Sequence, residues 1–205
     1  MSDAAAANLQ GYYRWHAQIY DLTRWTYLFG RTALIRRAAE HFSPQRILEV
    51  GCGTGKNLAQ LARRFPDAEI VGLDLSAEML SKARKKLAVY GPRASLLHRI
   101  YDAPVCAGEP FDLIVFSYCL SMMNPGYAEV LSFCGEDLSS RGRIALVDFH
   151  DTRSAWFRSW MGLNHVRMDG QILAALQAAG YTLQPCMVAS AYGGLWRWFT
   201  CLAAR

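Results

Sequence analysis

Three glycines in five residues, Gly51, Gly53 and Gly55, follow the apolar run ILEV and lead into KNLAQLARR. A glycine turn between a strand and a helix lets backbone approach a ligand closely and aims helix N–H groups at an acidic group on it. Three kinds of ligand compete for such a loop. A phosphate-binding loop needs GxxxxGK followed by Ser or Thr, but Val50 stands where the first glycine belongs and Asn57 replaces the hydroxyl. A dinucleotide fingerprint, GxGxxG, needs its third glycine where Lys56 stands. The remaining pattern is Gly51-x-Gly53-x-Gly55 behind the acid Glu49. Glycines also serve tight turns that hold nothing, so the acids downstream carry weight. Asp74 comes 23 residues after Gly51, close to the ~20 at which an acid reaches ribose hydroxyls in nucleoside-binding folds. One carboxylate accepts both hydrogen bonds of a vicinal diol, and the competing task of capping the next helix falls to Ser76. Asp102, in IYDAP, follows the third apolar run, where Asp-Ala-Pro also makes an ordinary turn.

The elements that must position these residues alternate between apolar runs and helix-period segments from Arg46 onward, the pattern of strands joined by crossover helices around a largely parallel sheet. Strands are expected at RILEV, EIVGLD (69–74), SLLHRIY (95–101), FDLIVFSY (111–118) and GRIALVDF (142–149). Leu58, Leu61, Ala62 and Phe65 share a helical face that Pro66 ends, and Met79, Leu80, Ala83, Leu87 and Tyr90 form a second buried stripe behind the N-cap Ser76. Helices are also expected near 127–138 and 171–179, with an irregular aromatic-rich stretch before the latter. YTLQPCMVAS and LWRWFTCLAA, joined through Gly193-Gly194, are expected to pair as an antiparallel hairpin. The whole is read as one domain, residues 1–44 a helical N-terminal cap and 45–205 the core.

The glycine loop, Glu49 and Asp74 together resemble the cofactor motifs of class I S-adenosylmethionine-dependent methyltransferases over about residues 45–149. The resemblance implies an α/β, Rossmann-like, seven-stranded and mostly parallel sheet, with helices on both faces and an antiparallel C-terminal hairpin. It implies S-adenosylmethionine as cofactor, held by Glu49, Gly51, Gly53, Gly55, Asp74, Leu75, Asp102 and Ser117, with Asp102 meeting the adenine amino group. YYRWHAQIYDLTRWTYLFGR (12–31), VFSYCLSMM (115–123), LVDFHD (146–151) and NHV (164–166) look more narrowly like bacterial N-methyltransferases that act on lipid head groups. Among these, diacylglyceryl-homoserine N-methyltransferases of betaine-lipid synthesis stand first and phosphatidylethanolamine N-methyltransferases beside them. C-methylation of a prenylated quinone is the rival within the same cofactor class. An ammonium acceptor must lose a proton before it can be methylated, so His150, at the end of the fifth strand, is the first candidate base and His165 the second. Aromatic faces can hold the methylated cation, and Tyr20 and Tyr118 are placed for that by the resemblance. Plain packing is the alternative: Tyr12, Trp15, Ile19 and Leu22 fall at helical spacing and could bury themselves against the sheet, with Tyr20 one residue off that stripe.

With 205 residues and 52% of them hydrophobic, the chain can bury one good core. The weakly charged run from Leu113 is too short to span a bilayer and is broken by Asn124-Pro125-Gly126. The N-terminus lacks a basic segment followed by an apolar one, so a cytoplasmic location is expected. Six cysteines without CxxC spacing read as reduced core residues, and no metal is expected. The net charge is +5, with Arg14, Arg24, Arg31, Arg36 and Arg37 in the first forty residues beside tyrosines and tryptophans. That mixture, and SAWFRSWMGL at 154–163, suit an anionic membrane surface, with a solvated basic face as the alternative. A lipid substrate and peripheral attachment at the inner membrane are therefore expected. No nucleic-acid motif is present.

Overall fold

The computed structural model describes residues 28–123 and 126–205. Its helices and strands run α1 Arg31–His41, β1 Arg46–Val50, α2 Lys56–Arg64, β2 Glu69–Asp74, α3 Ala77–Leu87, β3 Ala94–His98, β4 Phe111–Ser117, α4 Tyr127–Asp137, β5 Leu138–Phe149, α5 Ala155–Leu163, α6 Gln171–Ala178, β6 Thr182–Leu183, β7 Met187–Ala191 and β8 Trp196–Ala204. The strands form one sheet in the order β3-β2-β1-β4-β5-β8-β6, with β7 also paired to β8. β1 lies parallel between β2 and β4, Ile47 facing both Ile70 and Leu113. The chain therefore steps outward from β1 in one direction through β3, then returns to β1's other flank and steps outward again. That reversal opens a crevice at the carboxyl ends of β1 and β4.

Apolar side chains on both sides of the strands bring a helical layer to each face. On one face Leu34, Ile35 and Ala38 of α1, Leu58 and Leu61 of α2, and Leu80 and Ala83 of α3 pack with Ile47 and Leu113. On the other, Val130, Leu131 and Cys134 of α4 and Ile172 and Leu176 of α6 pack on Leu48, Val50 and Ile114. The fold is the expected Rossmann-like sheet with an antiparallel end: Met187 to Ala191 pair with Thr200 to Trp196.

The structure revises several details. The segment 181–190, read as one strand, is two strands separated at Pro185, so the sheet has eight strands rather than seven. Proline has no N–H for the ladder, and pairing to β8 lapses there. The third strand ends at His98 because Tyr101 turns inward, where its hydroxyl donates to the buried Asp137 at 2.6 Å. The stretch read as irregular contains α5, whose N-cap Ser154 accepts from the Phe157 N–H at 3.3 Å. Two of the six cysteines are not reduced: Cys186 and Cys201 are bonded as a disulfide. Spacing alone gave no hint of this pair, because antiparallel packing of the 184–186 segment on β8 brings together residues 15 apart in sequence. Cys52, Cys106, Cys119 and Cys134 are free thiols as expected. Of the N-terminal cap, α1 is helical and packed; residues 1–27 lie outside the described residues, and Tyr20, Arg14 and Arg24 with them.

Candidate active site

The site is built where β1 runs out. From Val50 the backbone passes through Gly51, Gly53 and Gly55, all left-handed with φ of 70°, 55° and 73°, before α2 begins at Lys56. At Gly51 the requirement is double, since a Cβ there would also lie 2.9 Å from that of Cys119 in the segment after β4. At Gly53 a Cβ would meet nothing within 4 Å. The turn is thus open to solvent at its apex, the geometry of a cradle that a ligand's own atoms complete.

The cradle is held from beneath. The N–H groups of Gly51 and Cys52 donate to the Leu73 carbonyl at 2.8 and 3.0 Å. The Asp74 carboxylate, at the end of β2, accepts the Gly53 N–H at 2.7 Å on one oxygen and the Ser76 N–H at 2.9 Å on the other. Two such bonds leave lone pairs on each oxygen for a diol. Ser76 caps α3 through its own hydroxyl, which accepts from Met79 N–H at 3.2 Å, so Asp74 is free of that duty. Lys86 of α3, exposed along its stem, donates to the Thr54 carbonyl at 2.9 Å and clamps the loop from the side.

Behind the loop lies Glu49, 1% exposed. Its Oε1 accepts from the Asn57 amide at 2.9 Å, while Oε2 is buried with no hydrogen-bond partner among the described residues. Burial pushes this carboxyl up to about 8, against the opposing pull of Asn57 and of Arg31 on α1. Asn57 Oδ1 and Ser117 Oγ are likewise buried and unpartnered. Glu49 faces Val115, and Ser117 lies two residues further along the same face of β4. Unpaired buried polar atoms are costly, and three of them near one crevice, unpartnered among the described residues, mark a place where a ligand's polar groups could bind. An open cradle, the Asp74 carboxylate beside it and the buried Glu49 behind it could together hold S-adenosylmethionine, whose ribose diol and methionyl ammonium call for such acceptors.

The rim beyond β4 and β5 is more mixed. Asp148 is fully buried, accepts from the N–H groups of Ser121 at 3.1 Å and Phe149 at 2.8 Å, and is raised to about 6 by burial. His150, half-buried, meets Phe199 edge-on at 5.8 Å. Its Nδ1 is buried without a hydrogen-bond partner among the described residues, and burial lowers its pKa against the opposing pull of Asp151. Tyr118 is spent on structure. With φ of 55° it turns into the core, packs edge-on to Phe149 at 4.8 Å, and donates its hydroxyl to the Phe29 carbonyl at 2.9 Å. Leu75 is half-buried beside Asp74, its carbonyl accepting from His98 Nε2 at 2.9 Å.

Two further expected residues lie at the surface. Asp102 is exposed and paired to Arg99 at 3.3 Å, beyond the end of β3. His165 is exposed on the left-handed turn leaving α5. Sequence reasoning overlooked Asn57, Arg31 and Cys119, and above all Asp137. Fully buried at the end of α4, Asp137 accepts from Tyr101 hydroxyl and from the N–H groups of Val105 at 2.8 Å and Cys106 at 2.7 Å, fixing the loop that carries Asp102. Asn57 was visible only as a departure from a phosphate-loop motif, and an acid closing an apolar helix carries no local signal at all.

Residues 47–142 match the family described as Methyltransferase domain. The trans-aconitate 2-methyltransferase of Pseudomonas paraeruginosa is 35% identical over 118 residues, which are 57% of this chain and 40% of that protein. That of Deinococcus radiodurans is 58% identical over 101 residues, 49% of this chain and 36% of its own. This chain spans less than half the length of these curated relatives. Among solved structures, the N-methyltransferase NodS from Bradyrhizobium japonicum in complex with S-adenosylhomocysteine superposes with a TM-score of 0.70 at 18% identity, covering 84% of each chain. A DhpI–S-adenosylhomocysteine complex does so at 0.70 and 19%, covering 98% of each.

Two outcomes are expected of the cradle. Asp74→Ala should weaken S-adenosylhomocysteine binding by ~1.5–3 kcal/mol, about tenfold to a hundredfold, with Asp74→Asn between it and the parent, as read by titration calorimetry on folded protein. Unchanged affinity in Asp74→Ala would remove it from the site. Glu49 is protonated near pH 7 in the free protein, and a neighbouring cation favours its ionised form. Binding of S-adenosylmethionine should therefore release a proton at pH 7, tighten as pH rises toward 8, and lose that proton release in Glu49→Gln. Calorimetry in buffers of different ionisation enthalpy reads this directly.

Proposed function

We propose that this chain is a class I S-adenosylmethionine-dependent methyltransferase that transfers a methyl group to the amine of a membrane-lipid head group, a reading supported by the match of residues 47–142 to a methyltransferase domain. The bound cofactor would supply a methyl already activated on a sulfonium. The protein's share is then to hold the two partners in line, exclude water and leave the acceptor nitrogen with a free lone pair. Gly53 and Asp74 would hold the nucleoside half, and Glu49 with Asn57 and Ser117 the amino-acid half.

The observation that carries the amine reading is His150: its pKa lowered by burial, with a buried nitrogen unpartnered among the described residues, at the rim where the crevice opens. A carboxylate acceptor needs no base, whereas an ammonium acceptor does. In this reading a ring nitrogen of His150 would accept the proton of the head-group ammonium, leaving that nitrogen a lone pair for the methyl that the cofactor would supply. Diacylglyceryl-homoserine is the first acceptor to test and phosphatidylethanolamine the second. Methylation of a small carboxylic acid is the competing reading, favoured by the trans-aconitate 2-methyltransferases among the relatives.

Labelled S-adenosylmethionine offered with diacylglyceryl-homoserine, phosphatidylethanolamine and trans-aconitate in parallel separates the two: label is expected in a lipid, and label in trans-aconitate alone would replace the amine reading. The rate should also rise with pH through one ionisation that lies below the usual histidine range, because burial depresses His150. His150→Ala should slow turnover by roughly a hundredfold and flatten that limb. A variant with the parent's profile would clear His150 of the role.

A further inference from the structure

α5 exposes apolar side chains as well as Arg158 and Ser159. Phe157 and Met161 are buried in the core, while Trp156, Trp160 and Leu163, at i, i+4 and i+7, form a second apolar stripe that is 71%, 49% and 80% exposed. A helix apolar on two sides is one that something covers. The stripe does not stand alone. The Thr152 hydroxyl, just before α5, donates to the Leu195 carbonyl at 2.6 Å and ties the helix to the β7–β8 hairpin tip, where Tyr192 is 61% exposed and Leu195 partly so. Phe29 packs against Tyr192 at 6.1 Å and extends the same surface.

The charge around this surface is one-sided. From Thr152 to Met168 the chain holds Arg153, Arg158 and Arg167 and no carboxylate, within a protein of net charge +5. The acids that bound the stretch are both engaged, Asp151 with Arg197 and Asp169 with Arg167. Tryptophan rings on a segment that also carries Arg153 and Arg158, neither of them in an ion pair with an acid of that segment, match the boundary between acyl chains and anionic head groups. The surface also lies next to His150, two residues before Thr152, so whatever covers it borders the acceptor rim.

We infer that the outer stripe of α5 and the β7–β8 tip form the surface on which this protein sits on an anionic bilayer. The inference deepens the lipid-acceptor reading and rests on it for its meaning. Attachment draws on a few rings and arginines, so it is reversible and weakens as salt screens the arginines.

The test uses vesicles of phosphatidylglycerol and phosphatidylcholine, which offer no amine to methylate, and no cofactor, so binding is read apart from catalysis. The full chain should sediment with these vesicles, less so at high salt and much less with pure phosphatidylcholine. Trp156→Ser with Trp160→Ser, and separately Arg153→Glu, should reduce partitioning at least tenfold while leaving S-adenosylhomocysteine affinity unchanged. Should the serine pair unfold, Trp156→Phe with Trp160→Phe keeps the apolar surface, and quenching of tryptophan emission by brominated phosphatidylglycerol should fall although binding persists. Parent protein that ignores anionic vesicles at low salt overturns the inference, as do variants that bind like the parent or quenching that the phenylalanine pair leaves intact. Concentration-dependent self-association abolished by the serine pair would overturn it too, in favour of a second copy as the occupant. Label in trans-aconitate, by contrast, would sink the acceptor reading and leave the vesicle result standing.

Discussion

The Asp74 carboxylate, bonded at once to the Gly53 and Ser76 N–H groups, is the interaction on which the rest of the site depends. A left-handed glycine turn has little to hold it in one shape, and here the charge-assisted bond at its apex comes from the neighbouring strand. Because β1 and β2 run parallel in register, with Val50 beside Leu73, the end of one strand delivers the loop and the end of the other delivers the acid that fixes it. The same register supplies the Leu73 carbonyl to Gly51 and Cys52. Sheet pairing, loop shape and ligand geometry are therefore one arrangement.

The second constraint is the crevice floor. Glu49, Asn57 and Ser117 bring polar atoms beside the apolar core of Ile47, Val115 and Leu58, and three of those atoms have no hydrogen-bond partner among the described residues. Folding alone does not reward such an arrangement.

Where the sequence was legible, period and punctuation agreed. RILEV and EIVGLD became β1 and β2 with the boundaries expected, and Ser76 caps α3 as its position implied. The glycine spacing and the distance to Asp74 identified the cradle because backbone conformation and strand length dictate both. The reading failed where contacts come from far along the chain. α5 was passed over because its tryptophans drew the segment into an irregular, aromatic-rich reading, although Ser154 caps it as a helix start would. Asp137 and the Cys186–Cys201 pair act through partners brought near only by the fold, 32 and 15 residues away. Tyr118 was placed at the end of the correct strand, but its side-chain direction depends on a left-handed residue that no pattern announces.

The break at Pro185 has a consequence for how these molecules meet one another. β6 and β7 share the outer flank of β8 but are only two and five residues long, interrupted by a residue that cannot donate. A strand from another molecule arriving at that flank finds no continuous row of amides to zip onto. The interruption thus serves as a guard against sheet-to-sheet polymerisation, at the side of the protein where the antiparallel ladder would otherwise invite a further strand.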